Sequence, residues 1–184
     1  MAIKANESPL LLAVQNFCVK YSAPALVDEW HVVPAHQNLS LPKDKGDFIV
    51  VTPINQMRMG TTVSTFDPQT GTTKHRTYYE ASVQVDVYSA NTVDAADRAA
   101  TLETMARSFE GVGFFKNYDI DCLYAENASN LTAALDSETY QSRWMLTLRL
   151  GFWKEVEVAT DSFDSVDVRL KNVDVHFPPN EESR

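Results

Sequence analysis

The sequence predicts an α+β domain with a mainly antiparallel sheet and helices packed on one face. Three observations predict it. Residues 79–88 alternate strictly between apolar and polar, and residues 144–152 carry a large apolar side chain at every second position, the pattern of strands with one face in the core. Two segments, residues 9–21 and 91–110, carry apolar residues three and four apart. Helices and strands do not alternate regularly, so the parallel sheet of repeated βα units is not expected.

The first helix is expected over residues 9–21, with Ser8 as cap and Pro9 in the first turn. Leu10, Val14, Phe17 and Tyr21 recur at helical spacing, with Leu11 and Cys18 beside them. Pro24 interrupts, and Ala25 to Trp30 suggests one more short helical turn. Residues 31–46 read as a loop punctuated by Pro34, Pro42 and Gly46. Phe48 to Val51 is a strand that Pro53 should end or bulge. An extended segment from Arg58 to Phe66 leads into the turn Asp67-Pro68-Gln69-Thr70-Gly71.

In the strand that follows, Tyr79, Ala81, Val83, Val85 and Val87 define the inward face. The second helix should open at Asn91 or Thr92 and end near Glu110, with Gly111 as its stop. Its core positions are Ala95, Ala99, Leu102, Ala106 and Phe109, while Arg98, Glu103 and Arg107 should face water. Residues 114–124 suggest a short strand, and Glu126 to Glu138 a polar connection. On the long strand from Tyr140 to Val158, Trp144, Leu146, Leu148, Leu150 and Phe152 share the core face. Gly151 would allow a bend or bulge there. A C-terminal β-hairpin extension is expected from Val166–Leu170 and Val173–Phe177 around Lys171-Asn172, before a polar tail from Pro178 onward.

The totals bound the function. At 184 residues the chain suits one domain with an appendage, large enough for a core without staples. The formal charge is −9, which disfavours sequence-independent DNA binding and suits either solubility or a wall that DNA must slide past. Cys18 and Cys122 make neither a disulfide framework nor a zinc pattern, and Cys18 reads as a small buried hydrophobe. The short apolar run Leu10 to Val14 is neither a signal peptide nor a membrane span, so an intracellular chain is expected. On that reading the Asn-x-Ser/Thr triplets at Asn38, Asn127 and Asn130 are chance matches.

Catalytic constellations are sparse. No Gly-Lys-Ser/Thr, no Gly-x-Ser-x-Gly and no His-Glu-x-x-His occurs, and Gly111-Val112-Gly113 lacks the third glycine of a dinucleotide loop. His31 and His36 are five apart in a predicted loop, Asp119 and Asp121 form an Asp-x-Asp pair, and Asp161, Asp164 and Asp167 have calcium-loop spacing without its glycine. Ordinary loop and surface roles account for each, so no cofactor, metal or catalytic residue is assigned.

The assembly candidates are more informative. Arg143, Met145, Arg149 and Trp153 lie on the long strand's second face, an aromatic, Met and Arg mixture typical of protein interfaces; a second core layer would explain it as well. Met57, Arg58 and Met59 form a similar cluster near a strand edge, open to subunit contact or loop packing. The C-terminal hairpin could add strands to a neighbour's sheet or fold onto its own.

The order of these features resembles the phage neck and tail terminator family. The resemblance rests on the Val-Val-Thr-Pro strand with Met57-Arg58-Met59-Gly60 after it, on Tyr79-Glu80-Ala81-Ser82-Val83-Gln84-Val85-Asp86-Val87-Tyr88, on the alanine-rich helix, and on Tyr140-Gln141-Ser142-Arg143-Trp144 and Leu148-Arg149-Leu150-Gly151-Phe152-Trp153. It covers roughly residues 7–158. The expected division is therefore a terminator-like domain over residues 1–158 and, over 159–184, a β extension with a disordered tail.

The resemblance implies a virion structural protein assembled in the host cytoplasm, not an enzyme. It implies a homo-hexameric ring that ends the tail tube and joins it to the head connector, with DNA passing through the lumen. Its partners would be copies of itself, the tail tube protein and the head-side neck protein, with sheath or collar as a further option and no membrane. Two other readings stay open: another tail component (tube, completion or minor capsid-joining protein), and a small-ligand-binding enzyme.

Overall fold

Two long strands organise the molecule. The computed structural model describes residues 3–5, 9–35, 46–136 and 139–160. Strand β5 (Thr72–Ser89) and strand β9 (Thr139–Ala159) pair antiparallel without a slip from Thr72↔Ala159 to Ser89↔Ser142. Strand β3 (Phe48–Arg58) and strand β4 (Val63–Asp67) follow one another along the other side of β5. Strand β2 (Val32–Pro34) adds to β3 in parallel. On the far side of β9 lie β1 (Ile3–Ala5), β6 (Ile120–Ala125), β7 (Ser129–Asn130) and β8 (Ala133–Asp136).

Three helices cover one face: α1 (Leu10–Tyr21), α2 (Thr92–Ala106) and α3 (Phe109–Lys116). The core lies between them and the inward sheet residues. Val83, Val85, Val87, Leu148 and Leu150 are fully buried against Val14, Phe17, Ala99, Leu102 and Phe115. Each such aliphatic side chain contributes about 1.5–3 kcal/mol on leaving water, so the two alternating strands carry much of the stability. Cys18 is in this core, where burial pushes its thiol up to about 12. The architecture is the expected α+β with helices on one face, and the β2–β3 pair is its parallel element.

Several boundaries differ from the sequence reading. Pro9 is the N-cap residue of α1 rather than part of its first turn, and Ser8, His36, His176, the aspartates at 161, 164 and 167 and the C-terminal hairpin lie outside the described residues. The turn expected over residues 25–30 is a 3-10 turn at Glu29–His31, and the following loop begins as strand β2. Pro53 produces a register shift before Asn55, but β3 continues to Arg58. The polar connection after Glu126 contains β7 and β8, which use the free edge of β9.

The largest correction concerns the second helix. It stops at Ala106 because Ser108 starts a new one: the Ser108 hydroxyl accepts the Gly111 N–H at 3.0 Å and donates to the Met105 carbonyl at 2.8 Å. Gly111 is therefore not a stop but a close approach of α3 to α2. Phe109, expected in the core, is 89% exposed at the new helix start. The strand expected from residue 114 begins only at Ile120, because Phe114 and Phe115 are helical and pack on Phe17.

Arg98 was expected to face water and is instead fully buried. Its guanidinium donates to the Pro24 carbonyl at 2.8 Å and pairs with Asp47 at 2.9 Å, joining α2 to two distant loops. Gly151 makes no bulge on the β5–β9 ladder; a methyl there would come 2.6 Å from the Tyr78 ring carbon that bears the hydroxyl, so the glycine makes room for Tyr78.

Candidate assembly surface

The sheet face opposite the helices is set by the same alternation. Cross-strand neighbours share a face. The β5–β9 register therefore places Tyr78, Glu80, Ser82, Gln84, Asp86 and Tyr88 on the outer face with Trp153, Gly151, Arg149, Thr147, Met145 and Arg143.

Ion pairs knit this face together. Arg143 bonds Asp86 through Nε and Nη2, both at 3.0 Å, and Gln84 donates to the other Asp86 oxygen at 2.7 Å. Asp86 is buried, although it lies on the sheet face opposite the described helices. Arg149 donates to Glu126 at 2.9 and 3.1 Å and to Ser82 at 2.8 Å, with Glu80 at 3.7 Å. Both arginines already have partners and keep roughly a third of their surface in solvent, 37% in each case. Such half-exposed pairs contribute about 1 kcal/mol or less to folding, and their planar donors stay available to another chain.

At the far end of β9, Trp153 is 46% exposed. Its ring meets Tyr78 edge-on at 5.2 Å, and Arg76 lies over it at 5.1 Å. The Tyr78 hydroxyl donates to Asp121 at 2.8 Å, and Lys116 pairs with the other Asp121 oxygen. Burial, then Asp121, pushes the Tyr78 phenol up to about 12. Lys116 foremost, with Tyr78, outweighs partial burial and holds the Asp121 carboxyl below its ordinary value. Arg76, Lys116, Asp119, Asp121, Trp153 and Glu155 line a groove of about 370 Å³ here.

The Asp119–Asp121 pair does not form the expected same-side strand pair. Asp119 precedes β6 with φ 56, and Asp121 is occupied by Lys116 and Tyr78. Among the described residues no histidine lines that groove: His31 is buried and accepts the Asp28 N–H through Nδ1, and His75 bonds Ser64. Among the described residues no three His, Cys, Asp or Glu side chains group to hold a metal ion.

The seven interface candidates separate cleanly. Arg143, Met145, Arg149 and Trp153 run along one face of β9. Met57 stands beside Glu80, and Met59, whose N–H bonds the Tyr78 carbonyl at 2.9 Å, stands beside Tyr78, so both join that face. They are 55% and 48% exposed. Arg58 points the other way and bonds Gly60 and Thr62 in its own bend. Sequence reasoning missed Tyr78, Arg76 and Lys116. The phase of β5 already put Tyr78 and Arg76 on the outward side, whereas Lys116 reaches the face only because α3 ends beside β6.

The family model for phage neck terminator proteins matches residues 9–176. The chain belongs to the phage neck terminator protein family. The match extends through the C-terminal segment, beyond the residue 158 limit of the resemblance noted from the sequence. Comparison with the curated proteins finds no match. The terminator is thus a phage structural protein of the neck and tail region, a family that works with other phage neck and tail proteins in the virion. Among its described residues no helix is long and apolar enough to cross a membrane.

Proposed function

We propose that this terminator forms a homo-hexameric ring that ends the tail tube, joins it to the head-side connector and lets DNA pass through its centre without catalysis. The match over residues 9–176 carries the reading. A ring needs two different patches on each subunit, one meeting the other on the neighbour. The outer sheet face, with its exposed Trp153, Met57 and half-free arginines, is one such patch. The −9 charge favours a passage that repels phosphate over one that holds it.

The test is the native mass of the purified chain by light scattering over a concentration series, with electron microscopy of the large species and of tails mixed with the chain. Closed six-membered rings seated on tube ends are expected. A chain that stays monomeric alone and with tubes added refutes the proposal, and labelling along the whole tube instead of its end assigns it to another tail component.

A further inference from the structure

One sheet edge is built to take another strand. β3 beyond Pro53 and β4 lie end to end along β5 from Ser82 to Thr72, interrupted only opposite Thr77 and Tyr78. β2 stops opposite Val51, and among the described residues no strand pairs with the outer side of residues 54–58 or 63–67. The Met59 N–H to Tyr78 carbonyl bond sets the phase of the ladder. By alternation, Gln56 and Arg58 turn their N–H and C=O groups outward, unused.

The edge is also apolar. Ile54, Met57, Met59, Val63 and Phe66 are all exposed. Natural edges are blunted by charge, proline or a bulge; here Pro53 and the bulge guard one end, Asp67 marks the other, and Arg58 is the one charged residue between them.

We infer that this edge accepts residues 166–177 of a neighbouring copy as an added antiparallel strand, a contact that rests on the ring proposed above. The sequence of that segment fits the gap. Val166–Leu170 and Val173–Phe177 are two five-residue stretches around a two-residue break, and the edge offers five residues of β4, a break, and five of β3. The segment extends about 40 Å at 3.3 Å per residue and the edge about 35 Å. The chain leaves β9 at Thr160, whose N–H bonds the Gly71 carbonyl at 2.9 Å at the β4–β5 tip, one end of this edge.

The family match runs to residue 176 and so takes in all of the donor but Phe177. The edge side chains Ile54, Met57, Val63 and Phe66 are exposed, which leaves them to be covered by the added strand. Donor and acceptor are different surfaces, which makes the contact head-to-tail, the kind that closes a ring.

Full-length chains carrying Thr65→Cys are mixed with full-length chains carrying Val168→Cys and oxidised, with Val166→Cys and Leu170→Cys to cover a register slip. Cys18 and Cys122 interfere little, their thiols being pushed up to about 12 and about 11 by burial. Covalent pairs formed only in the mixture are expected. Full-length Gln56→Pro, which removes an outward N–H, no β5 bond and one exposed bond from Lys154, should raise the concentration for half-assembly about tenfold while lowering the thermal midpoint by no more than about 4 °C. Rings that form without intermolecular cross-links and tolerate Gln56→Pro overturn the inference and leave the ring standing. Cross-links confined to one chain, seen when Thr65→Cys and Val168→Cys share a molecule, assign the segment to its own edge and also overturn it. A wild type monomeric throughout removes the ring and this contact together.

Discussion

Gly111 and Gly113 sit two residues apart in α3, and replacing each with alanine should move stability in opposite directions. By helix propensity alone both substitutions stabilise, by about 0.5–1 kcal/mol each. Space decides otherwise at Gly111. A methyl there would fall 2.8 Å from the Met105 carbonyl carbon and closer still to its oxygen, in backbone that cannot swing aside. Accommodating it means separating α3 from α2, which costs about 1–3 kcal/mol as overpacking and about 1 kcal/mol more if the Ser108 cap bond to the Gly111 N–H is lost. After the propensity gain, Gly111→Ala should destabilise by about 1–3 kcal/mol. A chain of this size loses about 2–4 °C per kcal/mol, so its midpoint should fall by about 3–10 °C. At Gly113 nothing lies within 4 Å of the added methyl, and Gly113→Ala should raise the midpoint by about 1–4 °C. Thermal and urea unfolding of dilute protein measure both. Equal shifts of the same sign would show that the junction does not confine Gly111 and would refute the reasoning.

Arg98→Met should cost about 2–3 kcal/mol, because Asp47 and the Pro24 carbonyl lose their shared donor; urea midpoints measure it. Partial burial raises the Asp47 carboxyl, but bonds from Ser89, Arg98 and the Ala90 N–H prevail and hold it below its ordinary value. Its contribution is therefore present above the unfolded value near pH ~3.9 and lost as pH falls through the lower folded value. Stability curves of wild type and Asp47→Asn should converge as the pH is taken from 6 toward 2, within about those limits; curves that stay parallel would contradict the assignment. Trp153→Ala should weaken self-association in light scattering while lowering subunit stability by no more than about 1 kcal/mol, since its contacts are one tyrosine edge and one arginine. Unfolding of the subunit by that change would make Trp153 a core residue.

Much of the fold was readable because its longest elements are locally periodic. The spacing at Tyr79–Tyr88 and Trp144–Trp153 placed the inward residues of those stretches of β5 and β9 on the correct side. The same spacing put Arg143, Met145, Arg149 and Trp153 together on the other face before any pairing was known. The failures lie where a local signal met a stronger partner from elsewhere. Arg98 looked solvent-facing from its own helix, and is buried because Pro24 and Asp47 supply oxygens there. The helix predicted to Glu110 breaks at Arg107 because Ser108 caps a second helix whose Phe115 packs on Phe17.

The sequence by itself determined the phases of the two long strands, the α+β class and the family pattern. Each depends on spacings of two to four residues, which backbone geometry converts directly into faces. Only the tertiary structure decided which faces meet: that Met57 and Met59 share the surface of Trp153, that Gly151 yields its space to Tyr78, and that Lys154 reaches Gln56 from 98 positions away. Strand register and helix docking set those meetings. They result from closing the whole sheet at once, so no local window of residues contains them.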